Sequence, residues 1–181
     1  MKITALAVID KPRGLSSSDV VVKCRGALSH AVGERQKCGH MGTLDPMAQG
    51  VLVLGFGKAA RLFDIMQDKT KAYRASVEFG YTTDTLDAEG ETSDTCDHLP
   101  DWDELIAAIP KFVGRIEQVP PKYSALNIAG RRAYDLARRG AHFVVPKREV
   151  EIARIDPGTI VEGARGVSKM TFDVECGSGT Y

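Results

Sequence analysis

No two of the four cysteines, Cys24, Cys38, Cys96 and Cys176, form a Cys-x-x-Cys pair. A chain of 181 residues with 43% hydrophobic side chains can bury a core without covalent staples. The cysteines therefore read as reduced thiols of a cytoplasmic protein. No apolar run reaches membrane-spanning length, so no membrane partner is expected. The apolar start, Ile3 to Ile9, lacks a small-residue cleavage site and is closed by Asp10-Lys11-Pro12, which makes it a strand and not a signal peptide. Excess positive charge is missing too: 24 basic and 24 acidic side chains cancel. Taken alone, that balance argues against phosphate binding. Internal repeats, low-complexity tracts and a regular βαβ alternation are also absent, which leaves an α+β chain.

The charge that is present falls into blocks. Thr82 to Glu104 carries Asp84, Asp87, Glu89, Glu91, Asp94, Asp97, Asp101, Asp103 and Glu104 with no Lys or Arg. Lys122 to Arg148 carries Lys122, Arg131, Arg132, Arg138, Arg139, Lys147 and Arg148 against Asp135. Lys37, Lys58, Arg61, Lys69, Lys71 and Arg74 flank the 40–50 segment in sequence. A basic stripe hidden by an acidic block permits RNA binding, although an ordinary solvated surface gives the same pattern.

Local patterns predict the elements. Ile3 to Ile9 is a strand. Ser16, Ser17 and Ser18 offer N-caps to a helix running through Leu28, with Val21, Val22 and Leu28 as its apolar contacts. His40 to Gly50 is a loop. Val51 to Phe56 is an apolar run of strand length, buried on both faces. Lys58 to Met66 has helical spacing, and Ala72 to Phe79 is a strand. The acidic block begins as loop, and Asp101 then caps a helix bearing Trp102, Leu105, Ile106 and Ile109. Phe112 to Val119 is a strand, Gly130 to Arg139 a short helix, and Glu149 to Ile155 and Val167 to Cys176 are strands.

Chemistry concentrates in Gly39-His40-Met41-Gly42-Thr43-Leu44-Asp45-Pro46-Met47-Ala48-Gln49-Gly50-Val51-Leu52. It is a glycine-bounded segment that offers one carboxylate and one imidazole. On spacing alone, Asp45 before Pro46 reads as a helix N-cap with proline at the first helical position.

The longer string, G-x-x-G-T-L-D-P-x-A-x-G-V-L, resembles the signature of the TruB-type tRNA pseudouridine synthases. Further stretches resemble that family in the same order. They are Asp10-Lys11-Pro12-x-Gly14 with Ser17-x-Asp19-Val20-Val21, then Lys71-x-Tyr73, then Thr83-Asp84-Thr85-x-Asp87-Ala88-x-Gly90. Pro120-Pro121-x-Tyr123-Ser124-Ala125, Gly130-x-x-Ala133-Tyr134-x-x-Ala137-Arg138 and Gly177-Ser178-Gly179-Thr180-Tyr181 complete the series. The resemblance implies isomerisation of uridine to pseudouridine at position 55 of the tRNA T-loop, with Asp45 as nucleophile. It implies that the target base is flipped out of its stack. His40 matches the residue that helps displace the base, Tyr73 the aromatic that stacks on it, and Tyr181 a second active-site tyrosine. Lys11, Pro12, Gly42, Thr43 and Leu44 match the supports of the active-site loop.

The implied fold is a mixed, mainly antiparallel sheet with flanking helices, a pseudouridine synthase-like catalytic domain over residues 1–181 that is incomplete at its C-terminus. The expected partner is the tRNA T-arm, met by a monomer. Two departures from the family pattern stand out. The arginine expected shortly after Tyr181, which would pair with the nucleophile, lies past the last residue, and Asn127 stands where the family commonly has lysine. The sequence therefore reads as truncated or cleaved, with no appended RNA-binding domain. Two other readings remain open: an RNA-binding or tRNA-folding module without catalytic activity, and a related synthase guided to another RNA by partner proteins.

Other signals are weaker. Gly55-Phe56-Gly57-Lys58 lacks the spacing of a phosphate loop. Cys38-x-His40 has no second ligand pair at zinc spacing, and the Asp84 to Gly90 stretch lacks EF-hand spacing, so no metal is expected. Isomerisation needs no redox or group-carrying cofactor, and none is expected.

Overall fold

The computed structural model describes residues 1–67, 70–124, 126–128, 130–164 and 166–181. Lys69 and Ala125 lie outside the described residues, as do the side chains of Arg132, Tyr134 and Asp135. The chain divides into two compact units, residues 1–69 and 70–181. Strands and helices are mixed, and every strand pairing described is antiparallel, in agreement with the expected α+β class.

In the first unit, β1 (Ala5–Lys11) pairs with β3 (Gly50–Phe56) along its whole length, from Ala5 opposite Phe56 to Lys11 opposite Gly50. β2 (Cys38–His40) lies on the other side of β3, giving the order β1-β3-β2. Helix α1 (Ser17–Val32) is capped by Ser16, whose hydroxyl accepts from the Asp19 N–H while the Asp19 carboxylate accepts from the Ser16 N–H. This reciprocal box selects Ser16 from the three candidate serines, because only Ser16 has an acid three residues on. Gly33 ends the helix in a left-handed conformation, φ 71°.

Val20 and Val21 of α1 pack with Leu52, Leu54 and Phe56, and Cys24 and Leu28 join the same cluster. Two expectations are corrected here. Val22 is exposed, and Val20 takes its place, because Val20, Cys24 and Leu28 repeat every four residues along one face. Val51 is 72% exposed, so the Val51–Phe56 run is not covered on both faces. Opposite residues of an antiparallel pair share a face, so Leu52 and Leu54 join Ile9 and Ala7 under α1, while Val51, Val8 and Leu6 lie on the other side. The helical spacing after β3 becomes a 3-10 segment (Gly57–Leu62) followed by α2 (Phe63–Gln67).

The second unit is built on a four-stranded sheet of order β4-β11-β10-β7. Its centre is the long hairpin of β10 (Arg148–Gly163) and β11 (Gly166–Cys176), flanked by β4 (Lys71–Glu78) and β7 (Gly114–Gln118). Helix α3 (Trp102–Ala108) is capped by Asp101 as expected, with Glu104 completing the box. Its Leu105 packs with Val167 and Met170.

The acidic block is not loop alone. β5 (Tyr81–Thr83) and β6 (Thr92–Thr95) form a small hairpin there. Its connection is tied by its own acids: the Asp84 carboxylate accepts from the Glu91 N–H, and the Asp87 carboxylate from the Glu89 N–H, each at 2.9 Å. The expected 130–139 helix starts later than predicted, because a second small hairpin, β8 (Asn127–Ile128) and β9 (Arg131–Arg132), turns at Gly130 with φ 83°. Helix α4 (Ala133–Arg138) follows. Among the described residues no helix is long and apolar enough to cross a membrane.

Candidate active site

The loop between β2 and β3 carries Asp45. It leaves β2 at His40, and the Met41 N–H donates to the Val53 carbonyl at 2.8 Å. Met41 is buried against Gly55, where any Cβ would overlap the methionine's Cε. A Cβ there would also lie 3.0 Å from the Ala59 main chain, so close approach, and not turn geometry, favours glycine at 55.

No helix follows Asp45, so the local reading of Asp45-Pro46 as a helix cap is not realised. Residues 44 to 46 are instead pinned at three consecutive carbonyls. The Leu44 carbonyl accepts from the Ser17 hydroxyl at 3.0 Å. The Asp45 carbonyl accepts from the Ala48 N–H at 3.0 Å. The Pro46 carbonyl accepts from the Gly14 N–H at 2.7 Å and from Lys11 Nζ at 3.3 Å. Gly14 reaches that bond with φ 88°, a conformation that favours glycine.

Lys11 is 0% exposed, and its Nζ also donates to the carbonyls of Leu15 at 2.6 Å and Pro12 at 3.2 Å. Three carbonyl acceptors match the three N–H donors of an ammonium group. Lys11 thus ties the strand-ending turn, through the carbonyl of Pro12, to the loop that carries Asp45. Asp45 itself is exposed, as is Thr43, while Gly42 and Leu44 are half-buried. The arrangement is an exposed carboxylate on a backbone fixed from beneath.

His40 is half-buried at the end of β2, opposite Leu54. Its Nδ1 is buried without a hydrogen-bond partner, so a histidine whose Nδ1 bonds the backbone is not what is found. A buried polar nitrogen left unpaired costs free energy. Lys37, Lys58 and Arg61 are exposed in this unit.

In the second unit Tyr73 stands on β4 opposite Val174 and is 42% exposed. It borders a shallow groove of about 340 Å³ lined by Ala72, Arg74, Arg154, Asp173, Val174 and Glu175. Arg74 makes a two-pronged pair with Asp173, both bonds 2.7 Å, so its charge is matched within the sheet. The hydrogen bonds from Arg74 hold the Asp173 carboxyl below the usual carboxylate range. Arg154 pairs with Asp156 at 3.0 Å and approaches Glu175 at 3.9 Å.

Tyr181 is held through its main chain by Gln118 at the end of β7. Its N–H donates to Gln118 Oε1 at 2.9 Å, and its carbonyl accepts from Gln118 Nε2. Within the basic block, the exposed Lys147 is paired with Glu117 at 3.0 Å. Among the described residues no cluster of three His, Cys, Asp or Glu side chains is placed to hold a metal ion.

Sequence reasoning missed Ser17 and Gln118 as backbone anchors. Ser17 was one of three consecutive serines, and Gln118 one polar residue in an alternating strand. Neither carried a local signal that its partner lay far along the chain.

A family model described as TruB family pseudouridylate synthase (N terminal domain) matches residues 30–181. The chain is 41% identical over 179 residues to a tRNA pseudouridine synthase B of Caulobacter sp. (strain K31), a match covering 99% of this chain and 55% of that protein. It is 40% identical to a tRNA pseudouridine synthase B of Brucella ovis, covering 99% of this chain and 52% of that one. The chain thus spans about half the length of the curated relatives it matches. Among solved structures, the crystal structure of a Cbf5-Nop10-Gar1 complex is similar with TM-score 0.63 and 26% identity, over 97% of this chain and 40% of that one. An H/ACA RNP bound to a substrate RNA containing 2'-deoxyuridine shares the fold, with TM-score 0.58 and 22% identity over 97% of this chain and 38% of that one.

Proposed function

The chain belongs to the TruB family of pseudouridylate synthases, and on that premise we propose that its protein isomerises a uridine of the tRNA T-loop, at position 55, to pseudouridine, with Asp45 as nucleophile. The observation that carries this reading is the loop of residues 44–46, whose three carbonyls are bonded while the intervening carboxylate is exposed.

The reaction breaks the bond between uracil N1 and the ribose, turns the base, and rejoins it through C5, which gives up its proton while N1 ends protonated. Attack at the sugar carbon, proton abstraction to a glycal, and addition to the ring all require an ionised carboxylate. A base inside a folded T-loop must leave its stack to reach Asp45. His40, half-buried at the end of β2, fills the place of the displaced base. Tyr73 stacks on the flipped uracil, and Tyr181 contributes the second aromatic ring. Lys11, Pro12, Gly42, Thr43 and Leu44 support the loop. In this reading residues 1–181 form part of one catalytic domain that works as a monomer on tRNA in the cytoplasm.

Identity supports tRNA over partner-guided RNA as the substrate. It is 41% to the Caulobacter tRNA pseudouridine synthase B and 26% to the Cbf5 complex. The deciding experiment compares wild type with Asp45→Asn in the full gene product, on T-arm RNA, by direct measurement of pseudouridine. The expected loss is on the order of 10⁴-fold or more. Wild-type turnover by the variant would refute the assignment. Tight RNA binding by a wild type that makes no pseudouridine would favour a binding module instead.

A further inference from the structure

We propose that Ser17 is a positioning residue for Asp45, an inference that rests on the reading of Asp45 as nucleophile. Ser17 is the first residue of α1 and is 2% exposed. Its hydroxyl accepts from the Leu44 N–H at 2.9 Å and donates to the Leu44 carbonyl at 3.0 Å. One oxygen thus satisfies both main-chain groups of the residue before Asp45. A hydroxyl has one hydrogen and two lone pairs, so the donor is committed and one acceptor site is filled. The ordinary task of a serine at this place, capping the helix, is already performed by Ser16. The first turn of α1 therefore leaves Ser17 with a single polar role, and that role lies in the loop.

Two peptide planes flank the Asp45 Cα. The plane after it is held by a local turn, through the Ala48 N–H. The plane before it contains the Leu44 carbonyl, and its anchor is the Ser17 hydroxyl, 27 positions earlier in sequence. Lys11 and Gly14 act one peptide further on, at Pro46. Removing the Ser17 hydroxyl takes this anchor from the plane before Asp45 and loosens its rotation about the Leu44 ψ and Asp45 φ bonds. That rotation swings the carboxylate, and a misplacement of about 1 Å costs about 10²-fold in rate.

The test is single-turnover pseudouridine formation on T-arm RNA by the full gene product, with enzyme in excess, for Ser17→Ala, Ser17→Thr and Asp45→Asn. With enzyme in excess the rate constant reports the geometry of folded molecules, whereas amplitude and thermal melting report how many are folded. Ser17→Ala is expected to lower the rate constant by about 10- to 100-fold with RNA affinity within about twofold. Ser17→Thr, which keeps the hydroxyl, is expected to recover most of that loss. If Ser17→Ala lowers only amplitude or melting temperature and keeps the wild-type rate constant while Asp45→Asn is inactive, the inference fails and the functional reading stands. If Asp45→Asn remains active, the functional reading fails and this inference with it. Should the added methyl of Ser17→Thr unfold the protein, the rate constant of Ser17→Ala decides alone.

Discussion

Lys11 Nζ lies 3.3 Å from the carbonyl oxygen of Pro46, the residue that follows Asp45. The two are 35 positions apart, and the lysine is completely buried at its end of β1. Replacing it by methionine keeps the length and removes the donor from three carbonyls at once. The expected cost is roughly 3 kcal/mol of stability. The urea midpoint should fall with an unchanged slope, and pseudouridine formation should fall with it. A midpoint equal to wild type would show that the three bonds contribute nothing.

Tyr73 tests the stacking role. A planar ring on a flipped base contributes about 1–3 kcal/mol, and the contribution comes from the ring. Tyr73→Phe should therefore retain most activity on T-arm RNA, whereas Tyr73→Ala should lose about 10-fold or more. An alanine variant with wild-type kcat/KM would remove Tyr73 from the site.

The thiols differ in environment. Burial pushes the Cys38 thiol up, with the neighbouring Cys24 adding to the effect, and burial also pushes Cys176 up. Cys96 is exposed. Alkylation of the native protein at pH 8 should label Cys96 first, and Cys38 and Cys176 more slowly by about 10-fold or more, because the thiolate is the reactive form. Peptide mass spectrometry at timed intervals reads the order. Equal rates at Cys96 and Cys176 would contradict the burial of β11's last residue.

Acid should weaken the second unit through Asp173 and Glu78. Asp173 is held low by hydrogen bonds from Arg74, and Glu78 by a hydrogen bond from the Tyr81 hydroxyl and then by Lys169. Both carboxyls have folded values below their unfolded ones. Their contribution is therefore present above about pH 4 and is lost as the pH falls through the depressed folded values. Thermal melts between pH 5 and pH 2 should show Asp173→Asn with a shallower acid limb than wild type. Because both groups are exposed, 1 M salt should shrink the difference. An acid limb identical in the two proteins would show that the pair contributes no pH dependence.

Some of this was legible from the residues alone. Asp101 with Glu104, and Ser16 with Asp19, announce helix starts because a capping box is satisfied within four residues of chain. The run from Leu52 to Phe56 announces a strand. The same run could not reveal that Val51 is exposed, because which face is covered depends on α1, a separate element. The short strand at Cys38 and the hairpin inside the acidic block were also illegible, since strands of three or four residues exist only by virtue of the strand beside them.

Asp45 marks the boundary most clearly. Its motif determined the family, and the order of the flanking motifs determined how far along the chain the likeness extends. Its immediate neighbours, Pro46 above all, were equally compatible with a helix cap. What decided against the cap was tertiary: Ser17, Lys11 and Gly14 bond to Leu44 and Pro46 across about thirty residues of chain. A hydrogen bond between main-chain groups and a distant side chain leaves no periodicity for a sequence to show. It forms only when β1, α1 and β3 have already brought those groups to within 3 Å or so of one another.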